Sequence, residues 1–194
     1  MHPITLVVTD DLKRSRVTVF FRLLLAIPHF IWLYLWGIAA FIVWIIAWFA
    51  ALFTKRVPAG MHNFLAGYLR YQVHVFAYVT IAANPYPPFS GSDGYPVTVE
   101  IAPPEDQGRL GVFFRFLLVL PAAIASYALN YITMVLALFA WVMGVVLGRI
   151  PEGMRNFLAF SIRYHAQTQG YQYLLTSKYP SFNVGLDAAP AANN

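Results

Sequence analysis

Two apolar runs constrain this chain more than anything else in it: Val17 to Phe53 and Leu110 to Leu147, each 37 or 38 residues long and each free of Asp and Glu. A helix crosses the hydrocarbon core of a bilayer in about 20 residues, with a usual range of about 17–25. Each run is therefore too long for one ordinary span and just long enough for two short ones. Burying both inside a soluble fold is not feasible. Of the 194 residues, 59% are hydrophobic and 11% charged, against roughly 45–50% and 25% in soluble domains. The expected class is a mainly α membrane protein.

The runs belong to a duplication. Pro3 to Phe89 aligns with Pro96 to Phe182 at a constant offset of 93, without a gap and with 28 identities in 87 positions. PITLVV recurs as PVTVEI, RVTVFFRLLLAIP as RLGVFFRFLLVLP, and RVPAGMHNFLAGYLRY as RIPEGMRNFLAFSIRY. Gapless self-similarity at this length marks tandem copies of one structural unit. The expected division is a first repeat over 1–90, a second over 91–182, and a disordered tail over 183–194. NPYPPFSGSDGYP, rich in Pro, Gly, Ser and Asn, is the turn-rich linker between the units.

Within each unit the order of patterns predicts a short strand, a transmembrane helical hairpin and an interfacial amphipathic helix. The Val-, Ile- and Thr-rich starts, 3–8 and 96–101, read as strands. Strand edges are not tolerated in lipid, so both need to lie outside it, where they can pair with each other. Basic residues flank both runs: Lys13, Arg14 and Arg16, then Lys55 and Arg56, then Arg109 and Arg149. Positive charge at both ends of a run fits a hairpin with cytoplasmic ends. Four spans in two parallel hairpins follow, with tips near Trp36-Gly37 and near Ser126 to Tyr131 and both termini cytoplasmic. The alternative is an interfacial helix ending at Pro28 or Pro121, followed by one long span, since proline bends a helix.

After each run, residues 61–79 and their counterparts show helical periodicity. At 100° per residue Met61, Phe64, Leu65, Tyr68, Leu69, Val75, Phe76 and Val79 share a face, with Asn63, Arg70 and His74 opposite. This predicts a helix lying in the membrane interface. The duplicated FFR-x-LL, the R-[VI]-P-x-G-M-x-N-F-L-A block and the following R-Y resemble an uncharacterised, mostly actinobacterial family of small membrane proteins known as a domain of unknown function. That resemblance implies a membrane location and a fold unit, and no reaction.

Candidate chemistry is sparse. No carboxylate occurs between Lys13 and Ser92 or between Gln107 and Pro151, and carboxylates supply most membrane proton relays, hard-cation cages and general bases. Cysteine is absent. No histidine recurs between the copies: His29 aligns with Ala122, His62 with Arg155, His74 with Gln167 and His165 with Gln72. No enzyme, metal site or cofactor is expected. The net charge of +5 flanks apolar runs instead of forming a stripe, which points to anionic lipid and away from nucleic acid.

Arg22 and Arg115 hold equivalent places in FFRLLL and FFRFLL with no acidic partner in their own segments. Snorkelling to lipid phosphates is the ordinary reading. The functional one is convergence of both guanidiniums on an anionic ligand or headgroup. Asn63 with Arg70, and Asn156 with Arg163, stand two helical turns apart and either cap a helix and grip headgroups or line a polar pocket. The expected function is a non-enzymatic scaffold or accessory subunit that contacts proteins, a second copy of itself, or anionic lipid. A small transporter or anion-binding module using the paired arginines is the alternative.

Overall fold

The computed structural model describes residues 2–92 and 94–183; the tail expected to be disordered lies, but for Asn183, outside them. The order is β1 (Ile4–Val8), α1 (Arg16–Phe20), α2 (Arg22–Thr54), α3 (Ala59–Val79), β2 (Val97–Ile101), α4 (Arg109–Phe113), α5 (Arg115–Leu147) and α6 (Glu152–Gln172).

The apolar runs are not hairpins. Each is one 33-residue helix, α2 or α5, that continues through its proline, so the expected four short spans are replaced by two long helices. The chain breaks at Phe21 and Phe114, seven residues before Pro28 and Pro121, where φ and ψ are −89° and 8° and −86° and 9°. The expected first tip at Trp36-Gly37 is mid-helix. Gly37 is small there because a Cβ would stand 2.8 Å from the Tyr68 hydroxyl. Close approach, not a turn, explains that glycine. The reversals come at Lys55 and Gly148, both left-handed with φ of 64° and 70°, which close α2 and α5 and send the chain back along α3 and α6.

The second correction concerns α3 and α6, which are central rather than interfacial. Leu65, Leu69 and Val73 of α3 and Leu158, Ile162 and Ala166 of α6 are buried in one core with Ile4, Leu6, Val97 and Val99 of the strands. Fully burying one such aliphatic side chain contributes about 1.5–3 kcal/mol. The two-faced pattern expected of α3 is present, but both faces are covered. Its apolar side meets α2 and α6, while Arg70 and His74 turn to β2: Arg70 Nε donates to the Val99 carbonyl at 3.3 Å and His74 Nε2 lies 3.0 Å from Thr98 Oγ1.

β1 and β2 pair antiparallel, as an external strand pair requires, with Leu6 opposite Val99. Those two residues are 93 apart, so the pseudo-twofold axis of the duplication passes through their pair. The same symmetry runs through the helices. Trp141 Nε1 donates to the Val19 carbonyl at 3.0 Å and Trp48 Nε1 to the Val112 carbonyl at 2.9 Å, which sets the start of each unit's helix against the end of the other's and makes α2 and α5 antiparallel. The ribbon packs on α3 and α6, and α2 packs on α3 as α5 does on α6. The succession from one side to the other is thus ribbon, α3 and α6, then α2 and α5.

The linker docks back on α3 through Gly91. Its φ is +61° and a Cβ would lie 2.9 Å from the Gly67 carbonyl oxygen and 3.1 Å from Tyr71 Cβ. Gly91→Ala is expected to lose about 2–4 kcal/mol, combining left-handed strain with overpacking. Gly94→Ala, with φ of +92° and nothing within 4 Å, carries the strain alone, and its loss in thermal unfolding is expected to be the smaller.

Candidate functional site

Arg22 is 1% exposed, and its partners are three backbone carbonyls and the Asn84 side-chain oxygen, which accepts from Nη2 at 3.3 Å. Nη1 donates to the carbonyls of Tyr78 (2.9 Å) and Ala83 (3.0 Å), Nη2 to that of Asn84 (3.3 Å), and the guanidinium stands 4.4 Å from the Tyr78 ring centroid. The Tyr78 carbonyl lies in the last turn of α3, where the helix dipole concentrates negative potential, and those of Ala83 and Asn84 in the chain that follows it. Arg115 repeats the arrangement at the end of α6: it donates to the Thr176 carbonyl at 3.2 Å and to Gln107 Oε1 and lies 3.9 Å from the Tyr171 ring centroid. In place of an acid, neutral oxygens of the chain at and just after the ends of α3 and α6, with Gln107 in the second unit, accept from the two guanidiniums. Arg22 and Arg115 share no partner, and the structure does not bring them to one ligand position.

Two residues that sequence reasoning passed over complete these clamps. Arg14, ion-paired with Asp10 at 2.7 Å, donates through Nε to the Ile81 carbonyl at 3.1 Å. Gln107, 93 positions on, donates through Nε2 to the Leu174 carbonyl at 2.6 Å. Ile81 and Leu174 have φ of 65° and 61°, so equivalent left-handed turns are held by different side chains. The alignment column was the available signal, but comparison by identity skips a position where Arg faces Gln.

Asn63 and Arg70 do line one cleft, of about 440 Å³, with His62, Ile101 and Pro104. Its far wall is the chain leaving β2, not the apolar helices. Burial lowers the His62 imidazole below the usual histidine range, against weaker raising by Leu175 and Asn63. In the second unit Asn156 Oδ1 accepts from Arg155 Nε at 2.9 Å and Arg163 donates to the Asn183 carbonyl. Nearby, Glu105 accepts from the Ser177 N–H at 2.7 Å and the Ser177 and Thr176 hydroxyls at 2.8 and 3.2 Å. Burial alone would raise this carboxyl, but those bonds and Lys178 hold it below the usual range.

Other polar groups are latches. Ser126 Oγ lies 2.9 Å from His165 Nδ1, yet α5 has no carboxylate and that of α6, Glu152, is at its opposite end, so no acid of these two helices orients the ring for nucleophilic catalysis. His29 Nδ1 lies 2.6 Å from the Tyr71 hydroxyl and its ring stacks on Phe89 at 4.5 Å. Trp44 Nε1 donates to the Gln172 carbonyl at 2.7 Å and Trp32 Nε1 to that of Phe89 at 3.1 Å. These two tryptophans thus tie α2 to its surroundings.

The feature left over is the exterior. Apart from Tyr86, Phe89, Tyr179 and Phe182 in loops, every exposed large hydrophobic side chain among the described residues lies within 17–53 or 110–147. In the most apolar 18-residue windows of α2 and α5 only 22% and 17% of residues are buried, whereas a soluble protein's core helix is mostly covered. Between the two helices runs an apolar cleft of about 410 Å³, walled by Phe30 and Leu33 on one side and Met134 on the other, with Phe76 and His165 on its floor. Six of the seven exposed basic residues stand at the helix ends: Lys13, Arg16 and Arg149 at one, Lys55, Arg56 and Arg109 at the other.

Fold and surface together define a duplicated, mainly helical protein with a short strand pair and two helices long and apolar enough to cross a membrane. The chain belongs to a family described as a domain of unknown function, DUF4389, whose model matches it twice in tandem, over residues 16–91 and 109–183. The strands precede each matched stretch. No curated protein and no solved structure matches the chain.

Proposed function

We propose that this protein resides in a membrane and acts there as a non-enzymatic scaffold or accessory subunit, held by α2 and α5 and contacting anionic lipid and a protein partner or second copy. The observation that carries the reading is the uncovered apolar exterior of those two helices. Large single-sided apolar surfaces on soluble monomers rarely exceed a few hundred Å², and here two helices of 33 residues expose most of their circumference. A multi-pass arrangement with cytoplasmic termini is one form this residence can take; helices lying along the bilayer are the other.

The alternative, a transporter or anion-binding module built on Arg22 and Arg115, has to release both guanidiniums from the carbonyls and amide oxygens that hold them before either can bind a solute. We therefore rank it second. The test is alkaline carbonate extraction of cell membranes, followed by cross-linking of the protein in nanodiscs and in its own host. Retention with the lipid and a cross-linked partner or dimer are expected. Release by carbonate overturns residence; a strictly monomeric protein with no partner overturns the scaffold.

A further inference from the structure

We infer that α2 and α5 lie along one leaflet of an anionic bilayer instead of crossing it, with the β ribbon on the water side. This rests on the membrane residence proposed above and specifies its geometry.

Length is the first argument. From Leu23 to Phe53 no residue is charged, and 31 residues at 1.5 Å per residue make an apolar rod of about 46 Å. The hydrocarbon core is about 30 Å thick and spanning helices tilt by about 0–40°. Fitting the rod across would need a tilt near 50° (~50°), beyond that range.

The ribbon is the second. It lies beside the middle of α3 and α6, where Arg70 meets Val99, His74 meets Thr98, and Gln167 Nε2 donates to the Ile4 carbonyl at 3.1 Å. With α2 and α5 upright, that ribbon, its open edges and exposed Glu100 would stand at the bilayer centre. Unpaired backbone groups and carboxylates are not accommodated there. With the helices along the membrane, the pseudo-twofold axis becomes its normal and the layers order themselves from lipid to water: α2 and α5, then α3 and α6, then the ribbon.

Charge is the third. Because α2 and α5 are antiparallel, upright helices would put Lys13, Arg16 and Arg149 on one face of the membrane and Lys55, Arg56 and Arg109 on the other, against the usual one-sided bias of basic residues. Lying flat, both clusters reach the same leaflet. Among the described residues the exposed acids near these ends are Asp11, Asp106 and Glu152, three against six bases, so anionic headgroups are the complementary surface.

The chain has no cysteine, which suits site-directed labelling. Ile31→Cys, Ile38→Cys, Ile42→Cys and Phe49→Cys all fall on the exposed side of α2 and span about 27 Å of helix. Spin-labelled and reconstituted in vesicles of phosphatidylethanolamine and phosphatidylglycerol, the four are expected at one depth to within ~5 Å, since a rod lying flat keeps its outer face level. A profile that descends from one headgroup region and rises to the other overturns the inference and leaves membrane residence standing. Four labels in water overturn both. As a second readout, Arg16→Cys, Arg56→Cys and Glu100→Cys in sealed native membrane vesicles are expected to react alike with an impermeant maleimide. Arg16→Cys and Arg56→Cys reacting from opposite sides overturns the flat placement.

Discussion

Arg22→Met is expected to lose about 3–5 kcal/mol of stability, because it takes the charged donor away from the buried carbonyls of Tyr78 and Ala83 and leaves the former with the Ile81 N–H alone. The Tyr78 carbonyl lies in the last turn of α3 and those of Ala83 and Asn84 in the linker after it, so the helix end and the linker behind it should loosen together. Arg22→Lys keeps the charge but replaces a planar fork by a single ammonium, and less than half of the lost stability should return. Two comparisons separate this clamp from a headgroup or solute site. The loss should appear in a neutral detergent that contains no anionic lipid. Arg22→Met and Arg115→Met should also add, since their partners are separate, whereas two arginines gripping one ligand would couple. Thermal unfolding followed by tryptophan fluorescence measures all of this; a marked departure from additivity, or a loss confined to anionic lipid, contradicts the clamp.

Leu6→Asp is expected to prevent folding altogether, and Val99→Asp to do the same. Leu6 and Val99 are 2% and 1% exposed, face each other across the ribbon and sit on the core formed by α3 and α6. An unpaired carboxylate there costs several kcal/mol (of order 5). Val7→Thr, one residue along and on the outer side of the strand, should cost less than about 1 kcal/mol. Equal damage from Leu6→Asp and Val7→Asp in hydrogen exchange or yield of folded protein would mean that the ribbon's inner face is not the one assigned.

The two cases differ in what could be foreseen. Strands at both unit starts and their partnership were legible, since Val, Ile and Thr favour extended backbone and a strand edge demands a partner. Their alternation was faint, because Val7 and Val8 are apolar on both sides. For Arg22 the equivalent position of Arg115 and the lack of an acid were legible, but the answer was not: apart from the Asn84 side chain the acceptors are main-chain atoms 56 to 62 residues away, and a carbonyl leaves no mark in residue type. The same blindness applied to Gly37, whose partner is a tyrosine 31 positions on.

Residue order alone settles that there are two copies in register, that each carries an apolar segment free of acids and bounded by bases, and that residues 61–79 form a two-faced helix. These follow from local periodicity and composition, which need no knowledge of distant contacts. Whether 37 apolar residues fold as two short helices or one long one is decided by packing: Tyr68 against Gly37, Trp44 and Trp48 against the second unit, and a left-handed residue at Lys55 that places the reversal after the run. Hydropathy counts apolar side chains without direction, so it cannot distinguish a rod across a bilayer from a rod along it. The position of the ribbon relative to that rod carries the orientation we propose, and only the tertiary structure supplies it.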